Sequence, residues 1–235
     1  MKKKIFLTSE TCQLAPMRAQ VRDFLGSVGL REEEAELIVL ALDEACTLQL
    51  DTVQVFTKNQ QQWKVKPLEA DLINLWRAGL KERKWEDRTV SHASYLINLA
   101  SNKDELWNKS VDLMTAEIER CEQLSIKFLV HHPGSHVGWT LQEGLARIAE
   151  AYKEIFKRTK GYKTVSCLEG TTGSGSTIGG PLEHLQRLQE MILKASPQRE
   201  RLGFCLDTCH LHAAGYDMST FQSAKEYFEL SLIHI

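Results

Sequence analysis

Four successive β-branched runs in this 235-residue chain each stop at a residue type that binds metal ions. His92 follows Thr89-Val90-Ser91, and His131 and His132 follow Ile126 to Val130. Glu169 follows Thr164 to Leu168, and Asp207 follows Leu202 to Leu206, with His210 one turn further on. Amphipathic stretches fill the gaps. Asp104 is placed to cap a helix whose apolar positions Trp107, Val111, Met114, Ile118 and Cys121 recur at steps of three and four. Leu141, Leu145, Ile148, Tyr152 and Ile155 mark a second helix, and Leu182, Leu185, Leu188 and Ile192 a third. Upstream, Thr52 to Thr57 reads as a strand, and the stretch after Pro67 sets Leu68, Leu72, Leu75 and Trp76 on one helix face. A last helix is expected near Ser219. Strands alternating with helices demand parallel pairing and right-handed crossovers. The fold class is therefore α/β, with about five strand–helix units, as an open sheet or as part of a (β/α)8 barrel. In both, the C-terminal strand ends converge on one face, so these distant residues should meet there.

Imidazole with carboxylate suits zinc, manganese or iron, and the thiolate-rich pattern of structural zinc is absent. Glu169 could also bridge two ions, an arrangement that activates water and stabilises both oxygens in phosphoester cleavage. Each residue alone has a plainer role: a strand-end histidine as a hydrogen-bonding group, Asp207 as the cap of a turn. Four consecutive strand ends together favour the metal. His131, His136 and His212 read as solvated or supporting groups, His184 as a surface residue, and Cys205 and Cys209 as core packing.

Charge excludes some partners. Lys plus Arg is 29 and Asp plus Glu is 31, so a net charge of −2 offers no global positive field. A nucleic acid would have to be held by local geometry. No Gly-rich phosphate fingerprint follows the first strand of any unit, which argues against a dinucleotide site. Mean hydropathy is −0.29, and no apolar run approaches the roughly 18 residues of a membrane span. The short Ile5-Phe6-Leu7 run after Met1-Lys2-Lys3-Lys4 is no signal peptide, so the expected location is cytoplasmic. Six cysteines without a paired CxxC motif read as buried, reduced thiols.

Several segments resemble signatures of the endonuclease IV family in the right order. They are Phe56-Thr57-Lys58-Asn59-Gln60-Gln61-Gln62-Trp63, His92-Ala93-Ser94-Tyr95-Leu96-Ile97-Asn98-Leu99, and His131-His132-Pro133-Gly134-Ser135-His136. Cys205-Leu206-Asp207-Thr208-Cys209-His210 and Ala213-Ala214-Gly215-Tyr216-Asp217 complete the set. The resemblance runs from about Leu48 to about Glu229. It implies a TIM barrel that cuts double-stranded DNA 5′ to an abasic site, in base excision repair, using up to three clustered zinc ions. By that resemblance His92, His132 and Glu169 form one zinc site, Glu169 bridges to a second with Asp207, and His210 serves the third. The implied chemistry is attack on the phosphate by a metal-activated hydroxide, with Glu169 the central catalytic group. Tyr95, Leu96 and Gln61 occupy the positions of DNA-contacting residues. Tyr95 and Leu96 match the loop pushed into DNA at the lesion, which suits an enzyme that reads deformability rather than base edges.

The chain departs from the family in several places. Gln61 stands where arginine is usual. After Glu169 the loop reads Gly170-Thr171-Thr172-Gly173-Ser174-Gly175 instead of Asn-Thr-Ala-Gly-Gln-Gly. The family's first strand and its last His/Asp/Glu motifs have no counterpart, which leaves one complete ligand set. The expectation is an incomplete barrel with weak or no activity. Leu7 to Thr47 resembles the start of an anti-sigma-factor-type, histidine-kinase-like ATPase domain, a βαα fragment in which Glu44 would lie near ATP-bound magnesium; Leu48 stands where that family has asparagine. Leu230 to Ile235 breaks the helical pattern and reads as a non-native tail, so His234 is not taken as a ligand. The expected division is thus 1–47, 48–229 and 230–235. Two other functions are open: a metal-dependent sugar isomerase on the same barrel type, or a non-enzymatic fragment with a sigma-regulator-like N-terminus. No membrane and no obligate protein partner is expected.

Overall fold

The computed structural model describes residues 41–42 and 44–234, and side chains up to Ser231. The strand and first helix expected before residue 41, and Asp43 and Cys12, lie outside the described residues. Five strands form one parallel sheet in sequential order: β1 (Gln54–Val55), β2 (Val90–His92), β3 (Phe128–His131), β4 (Val165–Glu169) and β5 (Leu202–Cys205). Helices α1 (Ala70–Arg83), α2 (Asp104–Gln123), α3 (Leu141–Arg158) and α4 (Leu182–Ala195) connect them. A single 3-10 turn at Arg199–Arg201 leads into β5, which is followed by the short α5 (Thr208–Ala213) and by α6 (Phe221–His234). This is the expected α/β class and an incomplete (β/α)8 barrel of five strand–helix units. Among the described residues no helix is long and apolar enough to cross a membrane.

The strands alternate sides, as the pleat requires. Val90, Phe128, Val130, Cys167 and Cys205 form one buried apolar cluster. Leu129 and Leu168 belong to a second, larger cluster with the helices. There α2 contributes Val111, Met114, Ile118 and Cys121, the stripe its spacing predicts. Burying such side chains contributes about 1.5–3 kcal/mol each, which is why the helical faces can be read from period alone. Leu42 and Ala45 lie in this same cluster. A Cβ at Gly79 of α1 would stand 3.1 Å from Leu42 Cδ1.

Several local expectations need correction. Leu75 is 55% exposed, because α1 starts at Ala70 and its phase is set by Trp76 and Leu80. The indole of Trp76 donates to the Leu124 carbonyl at 2.9 Å, which pins that rotation. Asp104 does not cap α2; Lys103 holds the cap position, and the Asp104 carboxylate accepts from Arg147 instead. The first strand is only two residues long. α6 runs through Leu230 to His234, so the helical pattern does not break there. Among the described residues, Cys46 and Cys209 are exposed, whereas Cys121, Cys167 and Cys205 are buried.

His131 lies inside β3 and points toward the helices, so it is not solvated. Its Nδ1 faces the His132 carbonyl at 2.9 Å and its Nε2 faces the Tyr152 hydroxyl at 2.7 Å. Burial pushes its pKa down to about 4, so the ring is neutral. A neutral ring has one N–H, which the carbonyl takes; Nε2 therefore accepts from Tyr152. The Tyr152 oxygen then accepts from Ser166 Oγ at 2.8 Å. This chain ties α3 to two strands. Tyr152→Phe leaves Nε2 and the Ser166 hydroxyl without a partner and should lower unfolding free energy by about 1–3 kcal/mol in urea denaturation.

Candidate metal centre

β2, β3 and β4 are adjacent and in register, so their C-terminal ends deliver side chains to one place. His92 ends β2, Glu169 ends β4, and His132 follows β3. Both imidazoles converge on a single carboxylate oxygen: His92 Nε2 and His132 Nε2 each lie 3.1 Å from Glu169 Oε2. His210, from α5, sets its Nδ1 3.7 Å from Glu169 Oε1 and 3.1 Å from the Gly170 carbonyl. Two groups result, His92–His132–Glu169 and Glu169–Asp207–His210, and within each the donor atoms lie within 4.8 Å of one another. The five expected ligand positions are thus brought together, with Glu169 common to both groups.

The chemistry of this donor set fits a divalent cation. His92 Nδ1 lies 2.7 Å from the Ala93 carbonyl, which can only accept. Its Nε2 faces a carboxylate, which also only accepts. A neutral imidazole has one N–H for these two acceptors. Either the ring is protonated, or Nε2 offers its lone pair to a cation while Nδ1–H is held by the carbonyl, the usual support of a metal-bound histidine. The imidazoles and the carboxylate also shift one another's titration. Burial alone would raise the Glu169 pKa, but the bonds from His132 and His92 and their charge hold it at about 2. Burial opposes a charged His92 ring, but its bond to Glu169 and the carboxylate's charge outweigh that and raise its pKa. Asp207 has the capping role foreseen for it and lies where the expected ligand role would place it. Its Oδ1 accepts from His210 N at 2.8 Å, capping α5, and its carboxylate stays in the second donor group.

Aromatic rings rim the cluster. The Tyr95 ring is 5.0 Å from that of His92 and 5.6 Å from that of His132. Phe56, which lies within a signature segment but has no role expected from the sequence, is 5.6 Å from His92 and 6.1 Å from Tyr95. Tyr95 is 54% exposed, and Leu96 beside it is half-buried. Gln61 is exposed on the loop after β1, its N–H donating to Asn59 Oδ1 at 2.9 Å. Ser94 Oγ donates to the Gln60 carbonyl at 2.6 Å, so the loops carrying Gln61 and Tyr95 are joined. His184 is not a surface residue: it is half-buried, and its Nδ1 accepts from Gly179 N at 3.2 Å. His136 Nδ1 faces the Trp139 carbonyl at 2.6 Å, away from either donor group. His212 is exposed on α5.

Residues 42–235 match the family model described as xylose isomerase-like TIM barrel. A curated relative named "Probable endonuclease 4", from Chloroflexus aurantiacus, is 45% identical over 169 residues, covering 72% of this chain and 58% of the relative. The chain therefore spans less than two thirds of that relative's length. The backbone also resembles the crystal structure of endonuclease IV from Thermus thermophilus, with a TM-score of 0.68, 24% identity, and coverage of 100% of this chain and 74% of that one. A D-tagatose 3-epimerase-like protein gives a TM-score of 0.59 at 19% identity, covering 77% of this chain and 65% of its own. These two likenesses concern the fold. The endonuclease IV resemblance seen in the motifs is borne out by the curated relative.

His132→Ala should weaken Zn(II) or Co(II) binding by more than about 100-fold, beyond the 10–100-fold typical of groups that merely support ligands. Affinity in the unaltered chain should fall with acid, because the cation must displace a proton from imidazole whose pKa is held high. Calorimetric titrations at several pH values in buffers of different ionisation enthalpy check both, through the affinity and the protons released.

Proposed function

The chain belongs to the xylose isomerase-like TIM barrel family, and from that premise we propose that it acts on double-stranded DNA as a zinc-dependent endonuclease, cutting 5′ to abasic sites. The observation that carries this reading is the pairing of the His92–His132–Glu169 donor set, in which His92 and Glu169 are buried and His132 half-buried, with an exposed Tyr95 ring 5.0 Å from His92. An exposed ring beside such a set offers a stacking face for an unstacked nucleotide.

His92, His132 and Glu169 would hold one ion, and Glu169, Asp207 and His210 contribute to a second. When bound, zinc supplies positive charge that polarises a phosphate oxygen and favours deprotonation of water. The protein's own groups do the rest. Glu169 shares its negative charge between the two donor groups. The Ala93 and Gly170 carbonyls orient His92 and His210. Tyr95 and Phe56 present ring faces where an unstacked nucleotide could lie. With a net charge of −2, such stacking must carry recognition that a basic field would otherwise supply. Incision by this chain alone is proposed to be slow or absent, since only two three-residue donor groups occur among the described residues.

A 5′-labelled duplex with one abasic site, incubated with the zinc-loaded chain, tests the reading. Metal-dependent preference for the damaged duplex supports it; equal binding of damaged and intact duplex, with no zinc effect, would overturn it. Tyr95→Ala should weaken abasic-duplex binding by about tenfold, within the 1–3 kcal/mol of a base–aromatic stack, and leave zinc stoichiometry unchanged. Fluorescence anisotropy and metal analysis on the same preparation check this.

A further inference from the structure

The buried face of α2 carries a carboxylate where an apolar residue would be expected. Glu117 lies three residues beyond Met114 and four before Cys121, on the stripe that packs under the sheet, and is only 1% exposed. A buried carboxylate is costly unless its oxygens are satisfied. Both are. Thr57 Oγ1 donates to Oε2 at 2.9 Å, and the Ser94 backbone N–H donates to Oε1 at 3.1 Å. Thr57 lies in the loop after β1, and Ser94 in the loop after β2. One carboxylate therefore grips two loops whose residues are far apart in sequence.

Neighbouring groups reinforce the grip. Arg120, one turn along α2 and itself buried, donates to the carbonyls of Thr57 and Lys66. Lys58, also buried, donates to the carbonyls of Asn59 and Gln62 and closes the first loop on itself. Ser94 Oγ donates to the Gln60 carbonyl and receives Leu96 N–H at 3.3 Å, joining the second loop to the first. Phe56 directly precedes Thr57, and Tyr95 directly follows Ser94. The two gripped residues are thus the chain neighbours of the two rings that stand 5.6 and 5.0 Å from His92.

We propose that Glu117 is a positioning residue that fixes Phe56 and Tyr95 as a preformed aromatic rim over the metal centre by holding Thr57 and Ser94 at once. The proposal deepens the DNA reading above and rests on it for the purpose of the rim. The alternative is that Glu117 serves only the stability of the core. A core role predicts loosening throughout α2 and β3; a positioning role predicts loosening confined to the two loops.

The test compares the full chain with Glu117→Gln, which keeps the shape but can satisfy only one of the two donors, and with Thr57→Val, which removes one arm alone. Hydrogen–deuterium exchange should rise by about tenfold in segments 56–66 and 93–99 of the Glu117→Gln protein, with α2 and β3 unchanged. Thr57→Val should loosen 56–66 much more than 93–99. Zinc stoichiometry should be unchanged in both. Abasic-duplex affinity should fall by about tenfold in Glu117→Gln, and that loss should shrink when Tyr95→Ala is already present. Unchanged exchange in either loop, or a rise spread over α2 and β3, would overturn the proposal. If the unaltered chain fails to distinguish abasic from intact duplex while the loops still loosen together, the positioning role stands and the DNA reading falls. Should Glu117→Gln not fold, Thr57→Val decides alone: loosening of 56–66 with bound zinc retained supports the clamp, and no loosening refutes it.

Discussion

Everything at the C-terminal face is organised around one carboxylate. Glu169 ends β4, and its Oε2 receives two imidazole nitrogens at 3.1 Å from strands on the same sheet. Such a contact exists only if β2, β3 and β4 are parallel, adjacent and in a register that brings their ends level. The sheet satisfies this: Val90, Phe128 and Val165 are aligned across it. A shift of one residue in β4 would turn Glu169 toward the helices and Leu168 toward the cluster, because side chains alternate faces. Strand register and the His92–His132–Glu169 cluster are thus a single constraint, and the apolar clusters on either side of the sheet enforce it.

The histidine pair at 131 and 132 illustrates that alternation. Consecutive residues leave β3 in opposite directions. His131 is committed to Tyr152 and the helical layer; His132 is committed to Glu169. The sequence places a metal-binding residue type at this strand end, but the expected strand ends at Val130, one residue short of the observed end at His131. Residue type and spacing do not separate the two histidines; from the sequence, His131 reads as a solvated or supporting group, and the endonuclease IV resemblance prefers His132. Geometry gives the physical reason: the ring inside the strand is buried and neutral, whereas the ring just beyond it is partly open to solvent and reaches the carboxylate.

What is legible in the sequence follows the same division between periodic and local causes. The stripe of α2, the five strand–helix units and the strand-end ligands all repeat, and repetition survives without knowledge of contacts. Period misplaces Leu75 because one hydrogen bond from Trp76 fixes the rotation of α1, and a pairing across 48 residues has no periodic signature. Asp104 escapes its expected capping role because an arginine on the next helix competes for its carboxylate. Glu117 gives no signal because a lone charge beside an apolar stripe looks like the border of a polar face. Its burial is explained only by donors in two loops that the sequence keeps 37 residues apart, at Thr57 and Ser94.

The altered loop after Glu169 shows how a departure from a family pattern can preserve a site. Gly170 supplies the carbonyl that faces His210 Nδ1, and its own N–H donates to the Cys205 carbonyl, extending the β4–β5 ladder. Both are backbone groups, which any residue except proline would offer at 170. Thr171 N–H donates to the Gly179 carbonyl and its hydroxyl to that of Ile178, so the loop folds back on its own base. That return leaves no room for side chains at the crossing: a Cβ at Gly180 would stand 2.6 Å from Gly173 Cα. Gly179 has φ of 110°, a left-handed value that glycine adopts without strain, and a Cβ there would press on the Glu169 carbonyl at 3.1 Å. The glycines therefore keep the loop tight against the strand that carries the shared carboxylate. The group that faces His210 is the Gly170 carbonyl, whereas the Thr172 and Ser174 side chains, which differ from the family pattern, bond to one another at 3.1 Å further along the loop.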